Sequence, residues 1–528
     1  MVESNAIAKI FALVVSLLLA VLVGSLLVTD QYVALACVGG AALLGFCFWM
    51  GRDIWLLIPF STLITLKFPW LPGAMPLSQV CTVVVVAWIL LLLAMRKVRL
   101  QFKITGIEIA ALILLLSILQ AYIRNPVGLD ILGSQVVGAR AYFNVSIALA
   151  TALVMGTLVV TPDKLRSAVR WMMAGGIISA VVGLVPFFMP SLTHITARFG
   201  AFGSYREVTS STYMDVVDPG RAGRIGPASE LGSLLSRWVA GSLNPLKGLL
   251  HPFWLLVITS AMVASGFGGF RNAFAAMALN LILGTFYWGR MRAVIAGSFL
   301  GIAALGALAV INAVAPLPAN IQRSLSFLPG TWDKRIVEDA RGSTQWRVEI
   351  WKEVLSTDRY IYDKVLGDGL GFNARELAAQ QTMDALKVGI GTSGFDIQRD
   401  YILVSGDYHS GPVQTIRTTG YVGLFILLIG MSYTSIRAHR MIVRARNTPY
   451  FGMSCFLCIP MVWHPFFFVF IFGAFGTDVP LLLIHMGFLR LMEKNLLPAL
   501  PVAHGSLPAS AGRPIPHLAG GKLSSVGS

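Results

Sequence analysis

Arginine and histidine residues that could act on a phosphorylated substrate recur in the second half of the chain. Arg221 and Arg224 lie in one polar stretch, and Arg271 lies in the tight turn GFGGFRNAF between two apolar segments. Arg347 and His409 lie in a second, longer polar stretch. A guanidinium stays charged and offers paired donors that suit phosphate oxygens, while an imidazole titrates near neutral pH and can take a proton from a hydroxyl. These residues predict a phosphate site with a general base. Alternatively, the arginines snorkel to the membrane surface or pair with carboxylates, and the histidine caps a helix or is structural.

The residues around Arg347 predict an amphipathic helix. Ser343 or Thr344 could cap a helix that runs to about Ser356. Arg347 and Trp351 are four positions apart, so they share one face of that helix. An apolar stripe is supplied by Trp346, Ile350 and Val354. We expect this helix to lie along a membrane surface.

Glycines follow this helix in the sequence GDGLG, at Gly367, Gly369 and Gly371. Such a turn is a weak indication of a binding loop, and a plain loop is the alternative. The sequence has no GxxxxGK[ST] phosphate loop, no HExxH zinc motif, no GxSxG nucleophile elbow and no DxD pair. We therefore expect no cofactor and no metal, which disfavours an ATP-driven pump and a metal-dependent transferase of nucleotide sugars.

Composition places these residues in a membrane protein. Of the 528 residues, 56% are hydrophobic and only 12% are charged, and the mean hydropathy is +0.73. Soluble domains carry about 25% charged residues, so this chain needs lipid to cover its apolar faces. The net charge of +16 does not indicate nucleic-acid binding, because the basic residues lie between apolar segments and act as topology signals. The five cysteines fall in apolar stretches, which predicts packing residues, including Cys455 and Cys458, and no disulfide framework.

Apolar segments of about 20 residues, long enough to span a bilayer, recur along the chain. The predicted spans lie near 7–28, 32–50, 54–72, 79–95, 106–123, 141–161, 168–189, 250–268, 272–289, 293–315, 418–436, 450–474 and 477–492. A weaker candidate, 228–246, decides the topology. If it spans, the basic clusters that begin at Arg96, Lys164, Arg290 and Arg437 all fall on the side of both termini, as the positive-inside rule requires. We therefore predict an all-α polytopic membrane protein with about fourteen transmembrane helices.

This topology divides the chain into alternating membrane and aqueous parts. They are the first seven helices in 1–189, an outer (periplasmic) segment 190–227, helices 8 to 11 in 228–315, a large outer segment with the amphipathic helix in 316–417, helices 12 to 14 in 418–492, and a disordered cytoplasmic tail 493–528. The predicted phosphate-binding residues then share the outer face.

Three motifs in this order resemble the O-antigen ligase and Wzy-type O-antigen polymerase superfamily, which has the C-type glycosyltransferase architecture. The first is an arginine in a short outer turn, here Arg271. The second is R-x3-W followed by G-x-G-x-G, here Arg347 and Trp351 with the three glycines. The third is H-x10-G-x2-G entering a span, here His409 with Gly420 and Gly423. The resemblance covers roughly residues 220–490.

The resemblance implies transfer of a glycan from a polyprenyl-pyrophosphate carrier to an acceptor hydroxyl on the periplasmic face of a bacterial inner membrane. His409 would be the base, and Arg271 and Arg347 would stabilise the departing pyrophosphate. Arg221, Arg224, Trp351, Gly367 and Gly369 would bind substrate. The acceptor could be another glycan, lipid A core or a protein hydroxyl, which leaves ligase, polymerase and protein glycosyltransferase open.

Two other classes of function remain open. A many-span protein could be a flippase for lipid-linked oligosaccharides, although the sequence lacks the matched halves expected of a transporter built from repeats. It could also be an anchor or assembly protein without chemistry. The concentration of arginines and one histidine in the outer segments favours the enzyme.

Overall fold

The computed structural model describes residues 32–68, 75–97, 104–127, 139–192, 224–371, 402–403 and 406–496. The predicted span 7–28 and the chain beyond residue 496 lie outside these ranges. The helices are α1 Tyr32–Met50, α2 Leu57–Thr62, α3 Leu77–Ala94, α4 Gly106–Arg124, α5 Arg140–Thr157, α6 Pro162–Phe188, α7 Gly226–Ser242, α8 Pro245–Gly248, α9 Pro252–Phe267, α10 Arg271–Val314, α11 Ala319–Leu325, α12 Lys334–Ser356, α13 Gly411–Ala445, α14 Phe451–Phe470 and α15 Phe475–Leu496. The other described elements are the 3₁₀ turns Gly51–Leu56 and Pro190–Leu192 and the antiparallel pair β1 Lys67–Phe68 and β2 Met75–Pro76.

The predicted all-α membrane class is confirmed. Within the described ranges, eight helical segments are long and apolar enough to cross a membrane. Large apolar side chains also point away from the protein, for example Leu112 and Leu116 on α4, which are 56% and 54% exposed. The predicted number of fourteen exceeds these eight. The helices α5 and α7 are not among them, and α9 is apolar but has only 16 residues.

Three predicted spans differ from the helices that form. Residues 54–68 of the predicted span 54–72 form the end of the 3₁₀ turn Gly51–Leu56, the short helix α2 and the strand β1, and the remaining residues of that span lie outside the described ranges. The apolar segment in this region is Gly40–Thr62. The predicted spans 272–289 and 293–315 form the single element α10, which is broken at Arg290, where φ is 61° and ψ is −170°. The break therefore falls between the two predicted spans.

The basic clusters meet at one end of the helix bundle. Arg52 donates to the Lys97 carbonyl at 2.7 Å, and Asp53 forms an ion pair with Lys164. The guanidinium carbon of Arg166 lies 4.9 Å from the centre of the Tyr450 ring, in the turn that follows the cluster on α13. Next to the cluster at the α10 break, the rings of Trp288 and Phe451 are 4.7 Å apart. We call this the basic end of the bundle.

The helix α7 runs between the basic end and the opposite end. Before its first turn, the Ile225 amide donates to the Gly268 carbonyl at 3.1 Å. At its last turn, Trp288 donates to the Ala240 carbonyl at 2.9 Å, and Gly241 packs against Phe456. Its 17 residues rise about 25 Å, close to the thickness of a hydrocarbon core. This length is compatible with the weak predicted span 228–246, but α7 is not among the eight apolar segments, so that span stays a prediction.

The helix that carries Arg347 begins earlier than predicted. It starts at Lys334, and the Asp333 side chain caps it by accepting from the Arg335 amide at 2.8 Å. The predicted caps Ser343 and Thr344 lie inside the helix. The predicted apolar stripe exists, but Ile350 and Val354 are fully buried against the segment around Tyr408. The protein itself, rather than a membrane surface, therefore covers this face.

Candidate functional site

Arg224 and Arg271 lie together at the starts of two helices. Arg224 stands two residues before α7, and Arg271 is the first residue of α10. The Arg224 guanidinium carbon lies 5.5 Å from the centre of the Phe270 ring, directly beside Arg271. Gly269 adopts a φ of 70°, which turns the chain from the end of α9 into α10. Arg221 lies outside the described residues, so its predicted role stays a prediction.

The helix α12 brings Arg347 and Trp351 to the segment that precedes α13. Trp351 donates from Nε1 to the Tyr408 carbonyl at 2.9 Å, which fixes the peptide that leads into His409. Tyr408 is itself buried and donates to the Leu403 carbonyl at 3.2 Å. The two residues of the predicted R-x3-W pair thus have different surroundings. Arg347 lies near Arg271 and Arg224, and Trp351 binds the backbone next to His409.

His409 is constrained on several sides. Its φ of 51° lies in the left-handed region that few residues other than glycine adopt. The ring stacks on Phe472 with centres 6.2 Å apart and contacts Trp346 at 6.2 Å. Its Nδ1 lies 3.7 Å from a carboxylate oxygen of Asp407, and about a third of the side chain (32%) is exposed. The imidazole is therefore held in a defined orientation and is open to a substrate.

Electrostatic coupling joins these residues into one site. Burial lowers the pKa of Arg347, and the charges of Arg271 and Arg224 lower it further. Burial also lowers the pKa of His409; the Asp407 carboxylate opposes this, while Arg347 and Arg224 add to it. The structure thus brings four predicted site residues together from three separate parts of the sequence. We call Arg224, Arg271, Arg347 and His409 the outer cluster.

Two features of the outer cluster favour an anionic ligand. Arg224, Arg271 and His409 each stand at or just before the first residue of a helix, where the helix dipole is positive. In addition, Nε of Arg347 and Nε1 of Trp346 are buried and have no hydrogen-bond partner within the described part of the chain. Buried donors of this kind ordinarily find an acceptor. An oxygen-rich ligand would supply it.

The predicted glycine loop fills a break in the helix that follows His409. The break lies at Gly420, where φ is 70°. Asp368 and Gly369 donate their amides to the carbonyls of Arg417 and Thr418 at 2.6 and 2.9 Å. In return, Tyr421 and Val422 donate to the carbonyls of Lys364 and Val365 at 2.8 and 3.2 Å. The loop thereby satisfies backbone groups that the broken helix leaves open.

The glycines of this loop are needed for that close approach. Gly367 and Gly369 adopt φ values of 81° and 92°, and a side chain on Gly367 would collide with the Thr419 and Gly420 amides. The motif therefore has a positioning role that the sequence did not indicate. The predicted contact of Gly367 and Gly369 with substrate stays a prediction.

Residues of the N-terminal half hold the loop from outside. Arg124 pairs with Asp363 at 2.7 Å and donates to the Gly367 carbonyl at 2.5 Å. The Tyr142 hydroxyl accepts from the Leu370 amide at 2.8 Å. Nothing in the local sequence marked Arg124 or Tyr142, because each lies at the end of an ordinary apolar span.

Within the described residues, no group of three or more histidine, cysteine, aspartate or glutamate side chains is arranged to hold a metal ion. Comparison with models of known protein families yields no match. Comparison with curated proteins likewise yields no match.

Proposed function

We propose that the protein transfers a glycan from a polyprenyl-pyrophosphate carrier to an acceptor hydroxyl at the outer face of a bacterial inner membrane. The observation that carries this proposal is the outer cluster at the end of the bundle opposite the basic end. There the charges of Arg347 and Arg224 act on His409, and those of Arg271 and Arg224 act on Arg347. Guanidinium groups suit a diphosphate, and an adjacent imidazole suits a hydroxyl that must lose a proton. The motifs that resemble the ligase and polymerase superfamily supply three of these residues, Arg271, Arg347 and His409.

The reaction needs two charge movements, and the outer cluster has a group for each. The acceptor oxygen bonds to the anomeric carbon while its proton moves to Nε2 of His409. The bond between the anomeric carbon and the pyrophosphate oxygen breaks, and the polyprenyl pyrophosphate leaves with the electron pair. Arg271, Arg347 and Arg224 stabilise the charge that develops on that oxygen. The energy comes from the pyrophosphate linkage itself, so no nucleotide is required.

The position of the outer cluster suits a lipid-linked donor. The helix α14 begins at the basic end with Phe451 and is followed at the other end by Phe472, which stacks on His409. Its 20 residues rise about 30 Å, the thickness of a hydrocarbon core. If the basic end is cytoplasmic, as the positive-inside rule favours, the outer cluster lies at the periplasmic surface. A carrier anchored in the outer leaflet would present its pyrophosphate at that level.

Glycan transfer by the purified protein in nanodiscs tests the proposal. The donor is a synthetic polyprenyl-pyrophosphate oligosaccharide, offered without nucleotide alongside a second carrier-linked glycan, lipid A core or a serine-containing peptide. We expect release of polyprenyl pyrophosphate and a glycan joined to one of these acceptors. Donor that stays intact with every acceptor, yet crosses the bilayer of protein-containing vesicles, would instead identify a transporter.

Arg347→Lys separates specific pyrophosphate recognition from simple charge. Lysine keeps the charge but loses the planar two-donor fork, so donor affinity should fall. Arg359→Lys is the matched control, because Arg359 lies in the same outer segment, exposed beside Tyr360. Inorganic pyrophosphate at about 100 times its dissociation constant should stabilise the wild type by about 2.7 kcal/mol. Equal thermal stabilisation of Arg347→Lys would contradict the assignment of Arg347.

A further inference from the structure

Asp407 is a charged neighbour of His409 that the sequence motifs do not include. Its carboxylate oxygen lies 3.7 Å from Nδ1 of His409. This distance is longer than a hydrogen bond, but catalytic hydrogen bonds are often long before substrate binds. The carboxylate is on the opposite side of the imidazole from Nε2, and no described group hydrogen-bonds Nε2.

Asp407 is itself held in place by a neighbouring amide. Gln414, in the first turn of α13, donates from Nε2 to the same Asp407 oxygen at 3.4 Å. The Gln414 side-chain oxygen accepts from the Phe475 amide at 2.5 Å, at the start of α15. The turn before α15 also supplies Phe472, which stacks on the histidine ring. One short turn therefore fixes both the plane of the imidazole and the amide that orients the carboxylate.

We infer that Asp407 is the positioning residue of His409, holding the neutral ring with hydrogen on Nδ1 and a free lone pair on Nε2. A carboxylate next to one ring nitrogen favours the tautomer that places the hydrogen there, so the other nitrogen becomes the base. The inference rests on the proposed function for its catalytic meaning, since it assigns the base of that reaction its partner. Asp407 does not touch the reacting atoms.

The charges that face His409 determine in which direction the pKa of its imidazole moves when Asp407 is replaced. Asp407 favours the protonated ring, while Arg347 and Arg224 disfavour it. Removal of the Asp407 charge therefore leaves two cations against the imidazole and lowers its pKa. A carboxylate within about 4–6 Å shifts a pKa by about 1–3 units, and we expect the lower end here because Asp407 is about half exposed (55%). A base works in its neutral form, so the acid limb of kcat/KM should move to lower pH.

Nitrogen NMR of histidine-labelled protein in nanodiscs tests the inference without any assay of transfer. The His409 signals are assigned by their loss in His409→Gln. In the wild type we expect the neutral ring to carry hydrogen on Nδ1. In Asp407→Asn we expect a shift toward the other tautomer and a pKa lower by about one unit. Asp407→Glu should restore the wild-type titration, and Asp358→Asn, at an exposed carboxylate of the same outer segment, should leave it unchanged.

The pH profile of transfer then tests the catalytic meaning. Asp407→Asn should move the acid limb of the kcat/KM profile to lower pH by about one pH unit. It should also lower the pH-independent maximum of kcat/KM about tenfold or more, while KM for the donor stays nearly unchanged. A lower maximum of kcat/KM in Asp407→Asn without any movement of the acid limb would mean that Asp407 has only a structural role, and it would overturn the inference. Wild-type tautomer and titration in Asp407→Asn would overturn it as well. If the NMR result holds but the wild type transfers no glycan, the proposed function fails while the pairing of Asp407 with His409 stands.

Discussion

Gly420→Ala should uncouple the glycine loop from α13 without touching any residue of the outer cluster. Gly420 adopts a φ of 70°, and an added Cβ would overlap the carbonyl of Val365. That carbonyl accepts from the Val422 amide, and the neighbouring Lys364 carbonyl accepts from the Tyr421 amide. The alanine side chain would therefore force apart the two hydrogen bonds on this side of the break.

The size of the effect follows from these contacts. Gly420 combines a φ of 70° with a ψ of −175°, a conformation that costs a non-glycine residue about 1–3 kcal/mol. Each lost hydrogen bond costs about 1 kcal/mol. The total of about 3–5 kcal/mol corresponds to roughly a 10²–10⁴-fold increase in local opening, at about 1.4 kcal/mol per factor of ten.

Hydrogen exchange followed by mass spectrometry measures this opening directly. In Gly420→Ala, peptides that cover 362–371 and 417–424 should lose protection together, because each segment donates to the other. The matched control is Gly476→Ala, since a Cβ at Gly476 has no atom within 4 Å. Wild-type protection of both segments in Gly420→Ala would refute the idea that the loop replaces a helical turn. Loss in only one segment would refute the mutual pairing.

Four further outcomes are expected. His409→Ala should lower turnover by about 10²–10⁴-fold while pyrophosphate still stabilises the protein, because the arginines remain; loss of that stabilisation would make His409 a ligand instead. Transfer should survive EDTA, and loss that added magnesium restores would contradict a reaction driven by arginines alone. Trp351→Phe removes the hydrogen bond to the Tyr408 carbonyl, so the free energy of unfolding should fall by about 1 kcal/mol. The kcat should also fall, while KM for the donor stays unchanged. In a variant whose five native cysteines are replaced, Ser356→Cys should react with a membrane-impermeant thiol reagent added on the periplasmic side. Reaction only with reagent added on the cytoplasmic side would contradict the predicted topology.

The helix α12 shows which features of a helix a local sequence pattern can predict. The spacing of Trp346, Ile350 and Val354 correctly predicted an apolar face, because a period of 3.6 residues depends only on the helix itself. The predicted start at Ser343 or Thr344 was wrong. Those residues are acceptable caps in isolation, and only the actual cap at Asp333 shows that the helix begins earlier.

The covering of that face depends on distant residues. Ile350 and Val354 are buried by Leu403, Tyr408 and Ile416, which follow after a long intervening stretch of chain. A local pattern cannot distinguish such a protein surface from a membrane surface, since both are apolar. The apolar stripe is therefore no evidence for a membrane surface, and the predicted position of the helix along one stays a prediction.

The glycine motif marks a similar limit. Its glycines indicated only a turn or a weak binding loop, whereas in the structure Gly367 and Gly369 adopt positive φ angles and approach the following helix closely. The partner of that approach could not be predicted, because the loop and Gly420 are far apart in the sequence and meet only through hydrogen bonds of the folded chain. The same holds for Asp407, whose importance follows from its 3.7 Å separation from His409 in space.

The proposed function would account for arginines that the predicted topology places on the outer face, where the positive-inside rule disfavours them. Arg347 is partly buried, and burial together with the charges of Arg271 and Arg224 lowers its pKa. Three helix starts add positive potential at the same place. In the proposed reaction, this positive potential would attract the pyrophosphate of the donor. The charge on the pyrophosphate oxygen would increase as the bond to the glycan breaks, and the arginines would then stabilise the transition state more than the bound donor.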